Sequence, residues 1–145
     1  VVNANPASDK LSKAFAIGRT IYADLVLNGN YDLDEFVCKS ESSNIATLTL
    51  DLDNRPDTAE LEQSISALNW KLQSRYDWVI YDTSSIGYYD TDNILQVIGK
   101  AIFVSRSSST ENKLISTEQI EQRGAVSLGC VEMPGSSHSV SYQNA

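Results

Sequence analysis

The residues best placed to do chemistry follow short apolar runs. In Arg75-Tyr76-Asp77-Trp78-Val79-Ile80-Tyr81-Asp82-Thr83, four apolar residues lead directly into an aspartate. That is the shape of a Walker B strand, whose carboxylate holds Mg²⁺, directly or through water, beside nucleotide phosphates. The spacing leaves a second reading open, an aspartate that closes a buried strand as a turn or helix-cap residue. Other polar residues stand after other apolar runs: Asn3 and Asn5, Asp51 and Asp53, Thr83-Ser84-Ser85, Ser105-Arg106 through Thr110, and Glu132-Met133. In open parallel sheets the reactive groups collect just past the carboxyl ends of strands, where diverging crossovers leave a crevice. Cys38 and Cys130 form no CxxC pair and His138 is the only histidine, which excludes zinc-site and Ser-His-Asp chemistry.

The elements that must position these residues alternate. Apolar, β-branched or aromatic runs at 1–2, 45–50, 78–81, 101–104 and 126–131 predict strands, and the last three are nearly continuous, as strands buried on both faces should be. Between them lie helical patterns. Leu61, Ile65, Leu68 and Leu72 form one stripe of a helix from Asp57 to about Arg75, with Asp57 and Glu60 as a capping box and Pro56 just outside it. Further helices are expected at 8–17, 22–27, 91–98 and 110–122, with a short turn at 33–37; Gly18, Gly29, Gly99 and Gly124 serve as stops. Trp78 is expected in a strand core, Trp70 in the core or at its edge, and Tyr88 and Tyr89 against the adjacent helix. Such alternation predicts an α/β fold: a mainly parallel sheet of about five strands with helices on both faces.

The totals agree with one domain. At 145 residues a folded chain removes roughly 68–70% of its unfolded surface from water, enough for a core without staples. Eleven Lys and Arg against nineteen Asp and Glu give a net charge of −8, which argues against nucleic acid or an anionic membrane as partner. No apolar run approaches the ~20 residues that span a bilayer, so no direct membrane insertion is expected of this segment. The chain opens Val1-Val2-Asn3-Ala4-Asn5-Pro6 without a polar lead-in, as at the start or inside of a strand. Residues 1–134 are expected to form the domain, and 135–145, small and polar, a flexible tail.

Several segments together resemble the second half of a bacterial tyrosine kinase domain, of the MinD/ParA-like branch of P-loop proteins, which serves capsule and exopolysaccharide export. They are Asp77 to Ser85, then Asp92 ahead of a helix, Phe103-Val104-Ser105-Arg106 with Thr110 opening the next helix, and Leu128-Gly129-Cys130-Val131. Upstream, Leu25-Val26-Leu27-Asn28-Gly29 with Leu33-Asp34-Glu35-Phe36-Val37 is similar to the family's DLLNG…LDEVI stretch, and Arg55-Pro56-Asp57-Thr58-Ala59-Glu60-Leu61 to its NPSELL helix start. The matches run in order, with compatible spacing, up to Met133. The resemblance implies a P-loop NTPase-like sheet, and the departures from it imply one lacking the P-loop. It implies Asp82 as the Walker-B-like catalytic position and Asn3, Asn5, Thr83 and Arg106 as cofactor-binding positions.

The departures carry the functional expectation. No GxxxxGK[ST] occurs, so the phosphate nest, its Lys and its Mg²⁺-binding hydroxyl are missing. Where the family has Asp-x-Asp, Asn3 and Asn5 stand, and an amide cannot serve as a carboxylate base. Ser84-Ser85 replace the usual prolines, and Glu132-Met133 stand where an Asn near the base pocket is common. Arg106 is open to two readings, ligand clamp or surface ion-pair partner. Tyr142, alone in the tail, is either a solvated residue or a phosphosite. The expectation is a non-catalytic, pseudokinase-like module with no cofactor and no metal of its own. Its expected partners are a membrane-anchored polysaccharide chain-length (co-polymerase) protein and further copies of itself, in the cytoplasm at the inner face of the membrane. The alternative is a fragment of an ATP- and Mg²⁺-dependent tyrosine autokinase. A generic receiver-like or scaffold domain is a third reading, separated by strand order: the kinase-like sheet places the Asp82 strand beside the P-loop strand or its vacant position.

Overall fold

The computed structural model describes residues 1–5, 19–52, 57–105 and 117–133. The expected helix at 8–17 with its stop Gly18, the first part of the expected helix at 110–122, Asp53, Arg106, Tyr142 and the tail lie outside the described residues.

The longest helix, α2 (Thr58–Gln73), forms for the reasons its sequence suggests. The Asp57 carboxylate accepts from the Glu60 backbone N–H at 2.9 Å and caps its first turn. Leu61, Ile65, Leu68 and Leu72 are all buried, forming the stripe that anchors it. Truncating Leu68, which is fully buried, would cost about 2–5 kcal/mol. Ser64 fastens α2 to α1 (Ala23–Asn28): its hydroxyl donates to the Ala23 carbonyl at 3.1 Å. A short 3₁₀ turn, Leu33–Glu35, follows α1, and α3 spans Tyr89–Ile98. Gly99 takes φ 72 to end α3, a conformation that strains any residue with a Cβ.

The strands are β1 (Val2–Ala4), β2 (Thr20–Tyr22), β3 (Cys38–Lys39), β4 (Ala46–Asp51), β5 (Tyr81–Thr83), β6 (Lys100–Ser105) and β7 (Val126–Glu132). Five form the main sheet: β2-β4-β1-β5 lie in that order and run parallel, and β3 pairs antiparallel with the first half of β4. β1 is short, but all three of its residues are buried and it is paired on both sides, which makes it the centre. The Val1 amino group already joins the ladder, donating to the Ala46 carbonyl at 2.6 Å, and burial lowers its pKa. β6 and β7 form a second, two-stranded parallel sheet.

The α/β class and the mainly parallel sheet agree with expectation, and so do α1, α2 and α3 to within a few residues. Four expectations are corrected. β2 and β3 were not foreseen, being three and two residues long. The run 78–81 contributes only Tyr81 to β5, and Trp78 is 84% exposed rather than part of a strand core. Trp70 is 71% exposed, because it points away from the buried Leu stripe, and Tyr88 and Tyr89 are exposed as well. The runs in β6 and β7 are not covered on both faces: Ile102, Val104, Val126 and Leu128 are all exposed.

Two apolar cores result. The larger joins Val2, Ala4, Leu48, Leu50 and Leu52 with the α1 and α2 side chains and Ile94 of α3. The smaller joins Leu95 of the same helix to Ile120 and Ala125, with Ala101 and Phe103 of β6 packed against it. α3 therefore holds the two-stranded sheet to the rest of the molecule.

Candidate functional site

The register of three strands builds one polar row. β4 alternates Thr47, Thr49 and Asp51 with Leu48, Leu50 and Leu52, so the leucines enter the core and the polar residues share the opposite face. Asn3 pairs with Thr49 on one side and with Asp82 on the other. Residues paired across a ladder point to the same face, so Thr49, Asn3 and Asp82 line up across β4, β1 and β5. Asn3 is buried, and the Thr49 hydroxyl is buried without a hydrogen-bond partner among the described residues.

Asp82 is half-buried and its carboxylate makes no hydrogen bond or ion pair among the described residues. Burial pushes its pKa up from the ordinary aspartate value. Its other expected companions are placed one step further along. Asn5 follows β1, and its side chain reaches across to the end of β5: Nδ2 donates to the Thr83 carbonyl at 3.4 Å. Its Oδ1 accepts from the Ser84 hydroxyl at 3.0 Å, and its backbone N–H donates to Asn3 Oδ1 at 3.3 Å. The Thr83 hydroxyl is turned to the Ser84 carbonyl at 3.2 Å, and that carbonyl also accepts from Thr91 Oγ1 at 3.2 Å. Thus Asn3, Asn5, Asp82 and Thr83 do come together; neutral hydrogen bonds link Asn3, Asn5 and Thr83, and the Asp82 carboxylate stands beside them outside that network.

Sequence reasoning misses one participant, Thr49, which lies within an apolar run although the Thr/Leu alternation of β4 places it on the Asn3 face. Ser84 stands among the expected candidates, but its partner Asn5 lies 79 positions away, which no local pattern reveals. Behind the site, Asp92 of α3 accepts from the Gly87 N–H at 3.2 Å and from Arg123 Nε at 2.6 Å, which pins the loop after β5.

As a home for Mg²⁺ and a triphosphate, this donor set fits poorly. The Asp82 carboxylate is flanked by amides, the other strand-end carboxylate of the main sheet, Asp51, lies on β4 beyond the intervening β1, and the described residues that directly follow β1, β4 and β5 (Asn5, Leu52, Ser84 and Ser85) include no cation to meet phosphate charge. Among the described residues no group of three or more His, Cys, Asp or Glu could hold a metal ion. An apolar cavity of ≈ 160 Å³, lined by Val1, Val37, Ile45, Tyr76 and Trp78 among others, lies at the opposite, amino ends of the strands.

The strand order and the polar row at the carboxyl ends define an α/β domain built on a mainly parallel sheet. The VpsO kinase domain shares this fold with a TM-score of 0.72 at 19% identity, over 92% of this chain and 68% of its own. The kinase domain of the Escherichia coli tyrosine kinase ETK matches with a TM-score of 0.73 at 15% identity, over 99% of this chain and 58% of its own. The chain therefore has the fold of bacterial tyrosine kinase domains. No family model matches its sequence, and no curated protein does. Among the described residues no helix is long and apolar enough to cross a membrane.

Proposed function

We propose that the chain is a non-catalytic, pseudokinase-like regulatory or interaction module of exopolysaccharide or capsule biosynthesis and export. The observation that carries this reading is the Asn5 side chain, which stands at an acid position of the kinase resemblance and is engaged by the Thr83 carbonyl and the Ser84 hydroxyl. A carboxylate there would present charge to a cation; the amide instead ties two strand ends together. Function then resides in surfaces. The partners that fit are a membrane-anchored chain-length (co-polymerase) protein and other copies of the chain, met in the cytoplasm at the inner face of the membrane. Asp82 and Thr83, and with them Arg106 and Tyr142, are relics or accessories in this reading, and no cofactor is needed.

A second reading has one observation in its favour. Asp82 keeps a carboxylate without a partner among the described residues at the end of β5, where an ATP-dependent tyrosine autokinase would hold Mg²⁺. Incubating the intact gene product with Mg²⁺ and radiolabelled ATP separates the two. The proposal expects no label on tyrosine; label that Asp82→Asn abolishes would establish the autokinase.

A further inference from the structure

The loop between β5 and α3, residues 84–88, touches both the strand-end polar row and the smaller core. Its first residue, Ser84, donates through its hydroxyl to Asn5 Oδ1 at 3.0 Å. Its one aliphatic side chain, Ile86, packs against the smaller core of Leu95, Ile120 and Ala125. Two adjacent residues in the first turn of α3 hold the loop at either end. The Thr91 hydroxyl donates to the Ser84 carbonyl at 3.2 Å, and Asp92 Oδ1 accepts from the Gly87 N–H at 3.2 Å.

The two fastenings differ in kind. Thr91 is buried, so water does not compete for its bond. The Gly87 bond is open to water, which weakens it, and its acceptor is oriented by Arg123. Arg123 Nε donates to the same Oδ1 at 2.6 Å, and Nη1 donates to the Gln119 carbonyl at 3.0 Å. Arg123 belongs to the second unit. It follows the helical residues 117–122 and leads into β7, flanked in sequence by Ile120 and Ala125 of the smaller core. Ser84 and Gly87 are only three positions apart, so a shift at one is felt at the other.

We propose that residues 84–88 form a strap that relays the position of the β6–β7 unit to the strand-end polar row, with Arg123 as its fastener. While Arg123 holds Asp92, Gly87 is held and Ser84 stays on Asn5. When the guanidinium is drawn away, the Asp92 carboxylate turns to water, the Gly87 end lifts and Ser84 leaves Asn5. Coupling of this kind runs through hydrogen-bonded and packed groups that have two discrete arrangements, and the strap supplies one such element. Its weak end is the one tied to the second unit, so movement there is felt first at Gly87 and then at Asn5, beside the Asp82 carboxylate. The relay asks for no chemistry at Asn3 or Asn5, so it stands apart from the reading of function given above.

Nuclear magnetic resonance of the intact gene product, with its asparagines and glycines isotopically labelled, tests the strap through Arg123→Gln and Arg123→Lys. In Arg123→Gln the Gly87 amide should exchange with solvent at least about fivefold faster. Across the unaltered protein and the two variants, the Gly87 amide signal and the Asn5 side-chain signals should move in constant proportion, as one two-state element requires. The signals of Asn28 and Gly29, at the far end of α1, should stay in place. Arg123→Lys keeps the charge and loses the Nε donor, so it carries the test alone if Arg123→Gln does not fold. A shifted Gly87 with unmoved Asn5 signals would show that nothing is relayed, and an unmoved Gly87 that Arg123 does not fasten it; either overturns the proposal. Equal shifts at Asn28 and Gly29 would overturn it too, because Arg123 would then support the fold as a whole.

Discussion

The hydroxyl of Ser84 donates to the side-chain carbonyl of Asn5 at 3.0 Å, joining the end of β1 to the end of β5 across 79 positions of sequence. Because the same amide donates to the Thr83 carbonyl, Asn5 uses both of its ends. Asn5→Ala should lower stability by about 1–2 kcal/mol in urea denaturation, the net worth of two partly buried hydrogen bonds. Asn5→Asp keeps the acceptor for Ser84 but sets a carboxylate against the Thr83 carbonyl. At pH 7 it should destabilise at least as much as Asn5→Ala, with the loss shrinking as the new carboxyl is protonated at low pH.

Asp82 gives a pH signature of the opposite kind from most aspartates. Its folded pKa is raised by burial, so the protonated form is the one the fold favours. The stability it contributes is full below the unfolded value, 3.8, and is lost as pH rises through the folded value. Asp82→Asn should therefore stabilise the chain at pH 7, and the gain should diminish toward pH 4. Denaturation midpoints of both proteins across that range provide the check; a gain independent of pH would contradict the assignment.

Two of the ion pairs should differ in strength. Arg123 meets Asp92 at 2.6 Å with side chains 24% and 30% exposed, whereas Arg75 meets Asp34 at 3.0 Å with 43% and 58%. Arg123 is further held by the Gln119 carbonyl at 3.0 Å, so less side-chain freedom remains to be lost. Double-mutant cycles should give a coupling of about 1 kcal/mol or more for Arg123 and Asp92, and under about 0.5 kcal/mol for Arg75 and Asp34.

Both tryptophans lie at the surface, with Trp70 71% and Trp78 84% exposed. The folded chain should show the emission of water-exposed indole, be quenched freely by acrylamide, and change little in emission wavelength on unfolding. A strongly blue-shifted native spectrum would mean that one of these rings is covered.

The legible parts of the fold were those whose signal is local. α2 declared itself through four leucine-stripe positions and the Asp57–Glu60 cap, and α1 and α3 through apolar periodicity ending at Gly29 and Gly99. What failed depended on distant partners. The run 78–81 is apolar enough for a buried strand, but pairing with β1 begins only at Tyr81, so Trp78 and Ile80 remain outside. The continuous apolar character of β6 and β7 predicts strands, which form, and burial on both faces, which does not: among the described residues one face only is covered. At the site, Asn3, Asn5, Asp82 and Thr83 were identified individually, whereas the clasp through Ser84 and the Thr49–Asn3–Asp82 row required the register.

The central claim is that neutral amides have replaced the chemistry of the strand ends. Calorimetric titration of the intact gene product with ATP and Mg²⁺ tests it most directly. The account predicts no binding in the micromolar range, and none gained by restoring acids in an Asn3→Asp, Asn5→Asp double variant. Micromolar binding of Mg·ATP to the unaltered protein, lost in Asp82→Asn, would contradict it.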